Sequence, residues 1–194
     1  MQAVQNPLKT EKVSKLLRTF AIPSIIAMLV SALYNIVDQV FIGWSIGALG
    51  NAATNVAFPL TTICIAIALM FGIGGASAFN LTMGEGDAKR AAFYVGNAIS
   101  MLVICGVVLC IVAHLFLTPM LRFFGSTQDI LCYAKTYTAI TAFGFPFLIL
   151  ATGGGHLIRA DGSPRFTMTC NLVGAIINLI LDPIFIFGFH WGMA

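Results

Sequence analysis

The chain has 194 residues, of which 59% are hydrophobic and only 9% charged. An ordinary soluble domain is about 25% charged, so a soluble globular protein is excluded and an integral membrane protein is expected. The net charge of +3 is too small to suggest a nucleic-acid partner, and the distribution of the charges matters more than their sum. Residues 1–19 carry Lys9, Lys12, Lys15 and Arg18 ahead of an apolar stretch, in the order of a signal peptide. That stretch runs on to about residue 42 with no small-residue cleavage site closing a short core, so it is read as a retained first span, 20–42. Twenty or so apolar residues suffice to cross the hydrocarbon core. Pro23 is placed in the first turn of this span, where a missing N–H is tolerated. Ser31, Asn35 and Asp38 share one face, with Tyr34 a turn before Asp38, and Gly43, Gly47 and Gly50 make an uncharged connection.

The second span covers 52–81, with a polar start at Asn51, Thr54 and Asn55, a kink expected at Pro59 and a far end, GIGGASAF, whose small residues permit close helix approach. A charged turn, MGEGDAKR, leads to a third span over 91–117 that Pro119 is expected to end. Ser126 and Asp129 have the spacing of a capping box opening the fourth span, 130–158, with Pro146 as a kink in its middle. After a second charged turn, IRADGSPR, the fifth span covers 166–189. Short links join the five, so residues 20–194 are expected to form one all-α bundle with no internal repeat. Eight Lys and Arg lie in the N-terminal segment and the two charged turns, against Arg122 and Lys135 on the other side, which places the N-terminus in the cytoplasm. No Lys or Arg is expected in a span interior, so a cargo cavity should be neutral to negative.

Five of the seven acidic residues lie in loops or at helix ends, leaving Asp38 and Asp182 within spans. At ~100° per residue, Asn171, Asn178 and Asp182 fall within ~20° of one line on the fifth span. Both acids stand four to seven residues before the outer ends of parallel spans, so they should sit at similar depth, where they can approach each other. An intramembrane carboxylate costs roughly 2.5–3.5 kcal/mol on insertion scales and usually faces a partner, a cavity or an ion path. Two that approach each other repel unless one takes a proton or a cation sits between them. With the oxygens of Asn35, Asn171 and Asn178 they form a hard donor set suited to H⁺ or Na⁺. The blander alternative is that each Asp merely hydrogen-bonds a neighbour near the interface.

The remaining candidates read as structural. Cys64, Cys105, Cys110, Cys132 and Cys170 make no CxxC or metal spacing, and His114, His156 and His190 share none. Gly153-Gly154-Gly155 lacks the GK[ST] of a phosphate loop and marks close packing. No hydrolase, metalloprotease, kinase or ATP-binding motif is present, so neither an enzyme nor a primary pump is expected. No cofactor is expected beyond a coupling ion.

Five segments, in order, resemble the multidrug and toxic compound extrusion (MATE) family: AIPSIIAMLVSALYNIVDQVFIG (21–43), the end of the second span with GEGDAKRA (84–91), YAKTYTAITAFGFPF (133–147), LIRADGSPR (157–165) and NLVGAIINLILDPIFIFGF (171–189). The resemblance implies a transporter of twelve membrane helices in two six-helix lobes, exporting cationic and amphipathic compounds in exchange for Na⁺ or H⁺ from the inner membrane. It implies a cation site at Asp38, Asn178 and Asp182, a first-helix proline at Pro23 and a fourth-helix tyrosine at Tyr137. It also implies that these residues are five helices of the N-terminal lobe. The sixth helix and the C-terminal lobe, needed for transport, would follow Trp-Gly-Met-Ala, and the chain is expected to be a fragment or incomplete reading frame. A flippase of lipid-linked precursors, from a related superfamily, would want intramembrane basic residues for a pyrophosphate. A non-transporting helical scaffold is the other alternative.

Overall fold

The computed structural model describes residues 12–45 and 47–185, and among these it is built of helices α1 (Val13–Ser45), α2 (Ala48–Gly84), α3 (Ala88–Leu115), α4 (Leu117–Phe123), α5 (Gln128–Phe143), α6 (Phe145–Ala160) and α7 (Pro164–Pro183). Four of them are long and apolar enough to cross a membrane, and a fifth span is made if α5 and α6, bent by 54° at Gly144, count as one. The all-α membrane fold expected from sequence is the fold observed. Lys9, Glu11, His190, the far end of the fifth span and Trp191 to Ala194 lie outside the described residues.

The centre of the bundle is α2, packed along α6 and α3, which also pack on each other. Lipid tails are as apolar as Leu, so helices in a bilayer associate through close van der Waals contact, which small side chains permit. Cys64, Ala68 and Gly72 recur every fourth residue on α2 and are buried, as are Ala98, Leu102 and Gly106 on α3 and Ile149, Gly153 and Leu157 on α6. A Cβ on Gly72 would stand 2.7 Å from both Cα and carbonyl O of Gly153, and one on Gly106 would stand 2.7 Å from Cα of Pro146. The triple glycine of α6 is thus a packing element at Gly153. A second cluster, Ala53, Leu121, Leu131 and Ala134, joins α2, α4 and α5. His114 ties α3 to α5, with Nε2 3.1 Å from the Ala139 carbonyl and the ring against Phe143.

Helices α1 and α7 behave differently. They pack along each other, touch α2 and α6 only lightly, and bury little of their surface. Exposed Ile, Leu, Met and Phe side chains cover much of the outside of the bundle, the surface a lipid-facing helix needs.

Several local expectations are corrected. Helix α1 begins at Val13, so Pro23 lies in the helix interior and not in a first turn. Gly43 and Gly50 belong to α1 and α2, which leaves Gly47, at φ 80°, as the left-handed residue of the connection. Helix α3 stops at Leu115, four residues before Pro119, which instead sits in the first turn of α4, where a proline is tolerated. No capping box opens α5: its N-cap is Thr127, without a side-chain cap, and the Ser126 hydroxyl donates to the Thr127 carbonyl. The fourth span breaks at Gly144, with Pro146 in the first turn of α6, where its missing N–H has no intrahelical partner to lose. Pro59 lies within α2, a single helix over Ala48–Gly84.

The charged turn before α3 is a working N-cap. The Asp87 carboxylate accepts from Arg90 N at 3.0 Å, satisfying one of the unpaired amides of the first turn. Asp87→Ala is expected to lower stability by about 0.5–2 kcal/mol, read as a fall in the thermal midpoint of the purified protein in detergent.

Candidate functional site

The one acid of α1 lies in the C-terminal third of the helix. Asp38 is half-buried, seven residues before the end of the helix, about 10 Å along its axis. Helix α7 lies alongside and carries Asp182, also half-buried, at its far end. The two carboxyl groups are near enough to feel each other's charge. Tyr137 of α5, half-buried, interacts electrostatically with Asp38 and with Tyr34. It stands nine residues into α5, about 14 Å by helical rise, a depth close to that of Asp38. Helix α1 does not pack along α5, so Tyr137 and Asp38 influence each other from helices that share no extended contact. The arrangement is therefore a set of four ionisable or hydroxyl-bearing side chains, Tyr34, Asp38, Tyr137 and Asp182, gathered from three helices.

The asparagines are placed less uniformly. Asn178 and Asn171 are exposed on α7, on the same stripe as Asp182. Asn35 is exposed, and its amide donates to the Ser31 carbonyl one turn back at 2.7 Å. A side chain hydrogen-bonded to its own helix is satisfied locally, so nothing in this geometry draws Asn35 toward the carboxylates. Pro23 lies fifteen residues before Asp38 on the same helix. Among the described residues no three His, Cys, Asp or Glu side chains gather as a metal-binding group, so any cation here would be held by two carboxylates and neutral oxygens.

One contact goes beyond the sequence expectations. The Thr54 hydroxyl of α2 lies 3.2 Å from Oε1 of Gln39 and also donates to the Asn51 carbonyl at 2.9 Å. Gln39, next to Asp38, thereby ties the site's own helix to the bundle where the two otherwise touch lightly. The available signal is an amide next to an acid within an apolar segment. A bond of this kind contributes about 0.5–1.5 kcal/mol. Gln39→Leu and Thr54→Val are each expected to lower the unfolding free energy by that order, with the double variant losing less than the sum in a double-mutant cycle.

Lys135 also needs correction. It lies half-buried in the second turn of α5, two residues before Tyr137. The N-terminal part of this span thus carries a cation, and only the deeper interior is free of Lys and Arg.

Comparison with known proteins gives a consistent result. The MatE family model matches residues 23–184. The chain is 28% identical over 181 residues to a FAD transporter of Shewanella oneidensis, covering 93% of this chain and 40% of the relative. It is 27% identical over 176 residues to multidrug export protein MepA of Staphylococcus haemolyticus, covering 91% of this chain and 39% of the relative. Among solved structures, the MATE multidrug transporter DinF-BH superposes with a TM-score of 0.91 at 36% identity, over 100% of this chain and 43% of that one. The chain spans about two fifths of the length of the relatives it matches.

Proposed function

Since the chain belongs to the MatE family and has the fold of the N-terminal lobe of MATE transporters, we propose that it forms the N-lobe part of a secondary exporter. Its cargo would be cationic and amphipathic compounds, driven outward by an inward flow of H⁺ or Na⁺. What supports this reading is that α1 and α7 pack along each other and carry Asp38 and Asp182 near enough to feel each other's charge, with Tyr137 in electrostatic reach of Asp38. Two negative charges in a low-dielectric region repel each other, and a proton or Na⁺ between them removes the repulsion. Binding of the ion draws α7 toward α1, and its release lets them part. Alternating access requires such a two-state element, biased by an ion and worked against the second lobe. Asn178, one turn before Asp182, supplies an amide oxygen to the ion. Pro23 lowers the cost of bending α1 by removing one backbone hydrogen bond.

The eight Lys and Arg of the N-terminal segment and the two charged turns, against two on the other side, favour an orientation with the N-terminus in the cytoplasm of a cell with an energised plasma membrane. An inwardly moving cation then gains roughly 2.3 kcal/mol per 100 mV. The deeper span interiors carry no Lys or Arg, which favours cationic over phosphorylated cargo. The similarity to a protein named FAD transporter keeps an anionic cargo as a second reading, and Lys135, half-buried in α5, is a cation that would serve it.

The test uses the full-length transporter in proteoliposomes loaded with a fluorescent cationic dye. Dye movement is expected to follow an imposed Na⁺ or H⁺ gradient and to reverse when that gradient is reversed. Dye movement unchanged when both gradients are collapsed would overturn the coupled mechanism.

A further inference from the structure

At the opposite end of the α1–α7 pair lies a cavity of about 510 Å³. Its described lining is Ser14, Lys15, Arg18, Ile22 and Ile26 of α1 with Arg165 and Met168 of α7. From this structure we infer that the cavity binds the headgroup and upper acyl chain of an anionic phospholipid. Ser14, Arg18, Ile22 and Ile26 recur every fourth residue, so they share one face of α1. Along that face the charge comes first and the apolar side chains follow. Helix α7 repeats the order, with Arg165 in its first turn and Met168 one turn deeper. Both helices thus present cations at the mouth and an apolar wall below it. A soluble anion has no use for the apolar wall, whereas a phosphodiester with an acyl chain uses both.

Depth agrees with this assignment. Twenty residues of α1 separate Arg18 from Asp38 and seventeen of α7 separate Arg165 from Asp182, about 30 and 25 Å of helix. The hydrocarbon core is about 30 Å thick, so with the carboxylates toward one face of the bilayer the basic mouth stands at the headgroup layer of the other. The volume is that of a small-molecule site, and basic pockets between membrane helices are known receptors for anionic headgroups. The lipid would also staple two helices that otherwise hold to the bundle by few contacts. The inference rests on the orientation proposed above only for which leaflet supplies the lipid.

The experiment is native mass spectrometry of the full-length transporter released from detergent with dioleoylphosphatidylglycerol or dioleoylphosphatidylcholine. The glycerol lipid is expected to bind at least about tenfold more tightly. Each of Arg18→Gln and Arg165→Gln should weaken it about fivefold, the pair should erase the headgroup preference, and Lys89→Gln with Arg90→Gln at the other charged turn should leave it intact. Excess inorganic phosphate should not displace the lipid. Photocrosslinking with a diazirine-tagged phosphatidylglycerol should label residues 14–26 and 165–168, and this measurement needs no variant. Equal retention of the two lipids, an undiminished preference in the double variant, full displacement by phosphate, or labelling confined to other helices would each overturn the inference. None of these readouts involves transport, so their failure would leave the exporter reading standing.

Discussion

Asp38→Asn and Asp182→Asn, made in the full-length transporter, are each expected to abolish ion-coupled export while leaving the protein folded and membrane-inserted. Asn has nearly the shape of Asp and keeps an oxygen acceptor, so what it removes is the charge. On the proposed reading that charge does two things: it attracts the driving ion, and it repels the second carboxylate when the ion leaves. A variant that lacks either acid loses the second effect and weakens the first. The membrane potential acts on the exchange only through the charge that moves, at roughly 2.3 kcal/mol per charge per 100 mV, or about a fiftyfold cargo gradient. Loss of coupling should therefore lower the sustained drug gradient by that order for each uncoupled charge, measured as dye accumulation against an imposed potential. The double variant should be no worse than the worse single variant, because the two acids act as one unit. Asn35→Ala is the matched control. Its amide is satisfied by the Ser31 carbonyl of its own helix, and its replacement should leave coupling intact. Undiminished export by both aspartate variants would refute the assignment.

Gly72→Leu is expected to prevent the bundle from assembling, and Gly72→Ala to destabilise it by about 1–3 kcal/mol. The cause is backbone contact. Cα and O of Gly153 occupy the space that a Cβ on Gly72 would need, at 2.7 Å for both. A flexible side chain could turn aside, but these are main-chain atoms of α6 fixed by helical hydrogen bonds. Helices α2 and α6 would have to separate, and the loss would spread to Ala68, Leu102 and Ile149, which lie buried in the same cluster. Gly74→Ala is the contrasting case. Nothing lies within 4 Å of its Cβ position, and alanine is the better helix former by about 1 kcal/mol, so stability should hold or rise slightly. The thermal midpoints of the three variants in detergent check this ordering. Equal midpoints for Gly72→Ala and Gly74→Ala would show that the two helices do not touch as described.

The membrane class, the order of the apolar segments and the two acids within them are readable along the chain, because the energetics of insertion act residue by residue. An acid within an apolar stretch is conspicuous whatever surrounds it, and Asp38 and Asp182 need no fold to be singled out. Ends and breaks are less legible. Ser126 and Asp129 have capping-box spacing, yet the helix opens from Thr127. The pattern predicts a kink at Pro146, yet the break falls at Gly144, because a proline acts on the turn that precedes it. It predicts a stop at Pro119, which instead sits in the first turn of a short helix. Which helices touch is decided only in three dimensions. The run of small residues on α2 announces a close contact but not that Gly153 is its partner. Gln39 is tied to Thr54 only because α1 crosses α2 at that level. Asn35 stands one turn from Asp38, yet it is satisfied by its own backbone. Sequence therefore determined which groups the bilayer would reject, since that is a property of each residue. Tertiary structure decided which of them meet, since that depends on how rigid helices pack, and here α1 lies along α7 and has no such extended packing with α5.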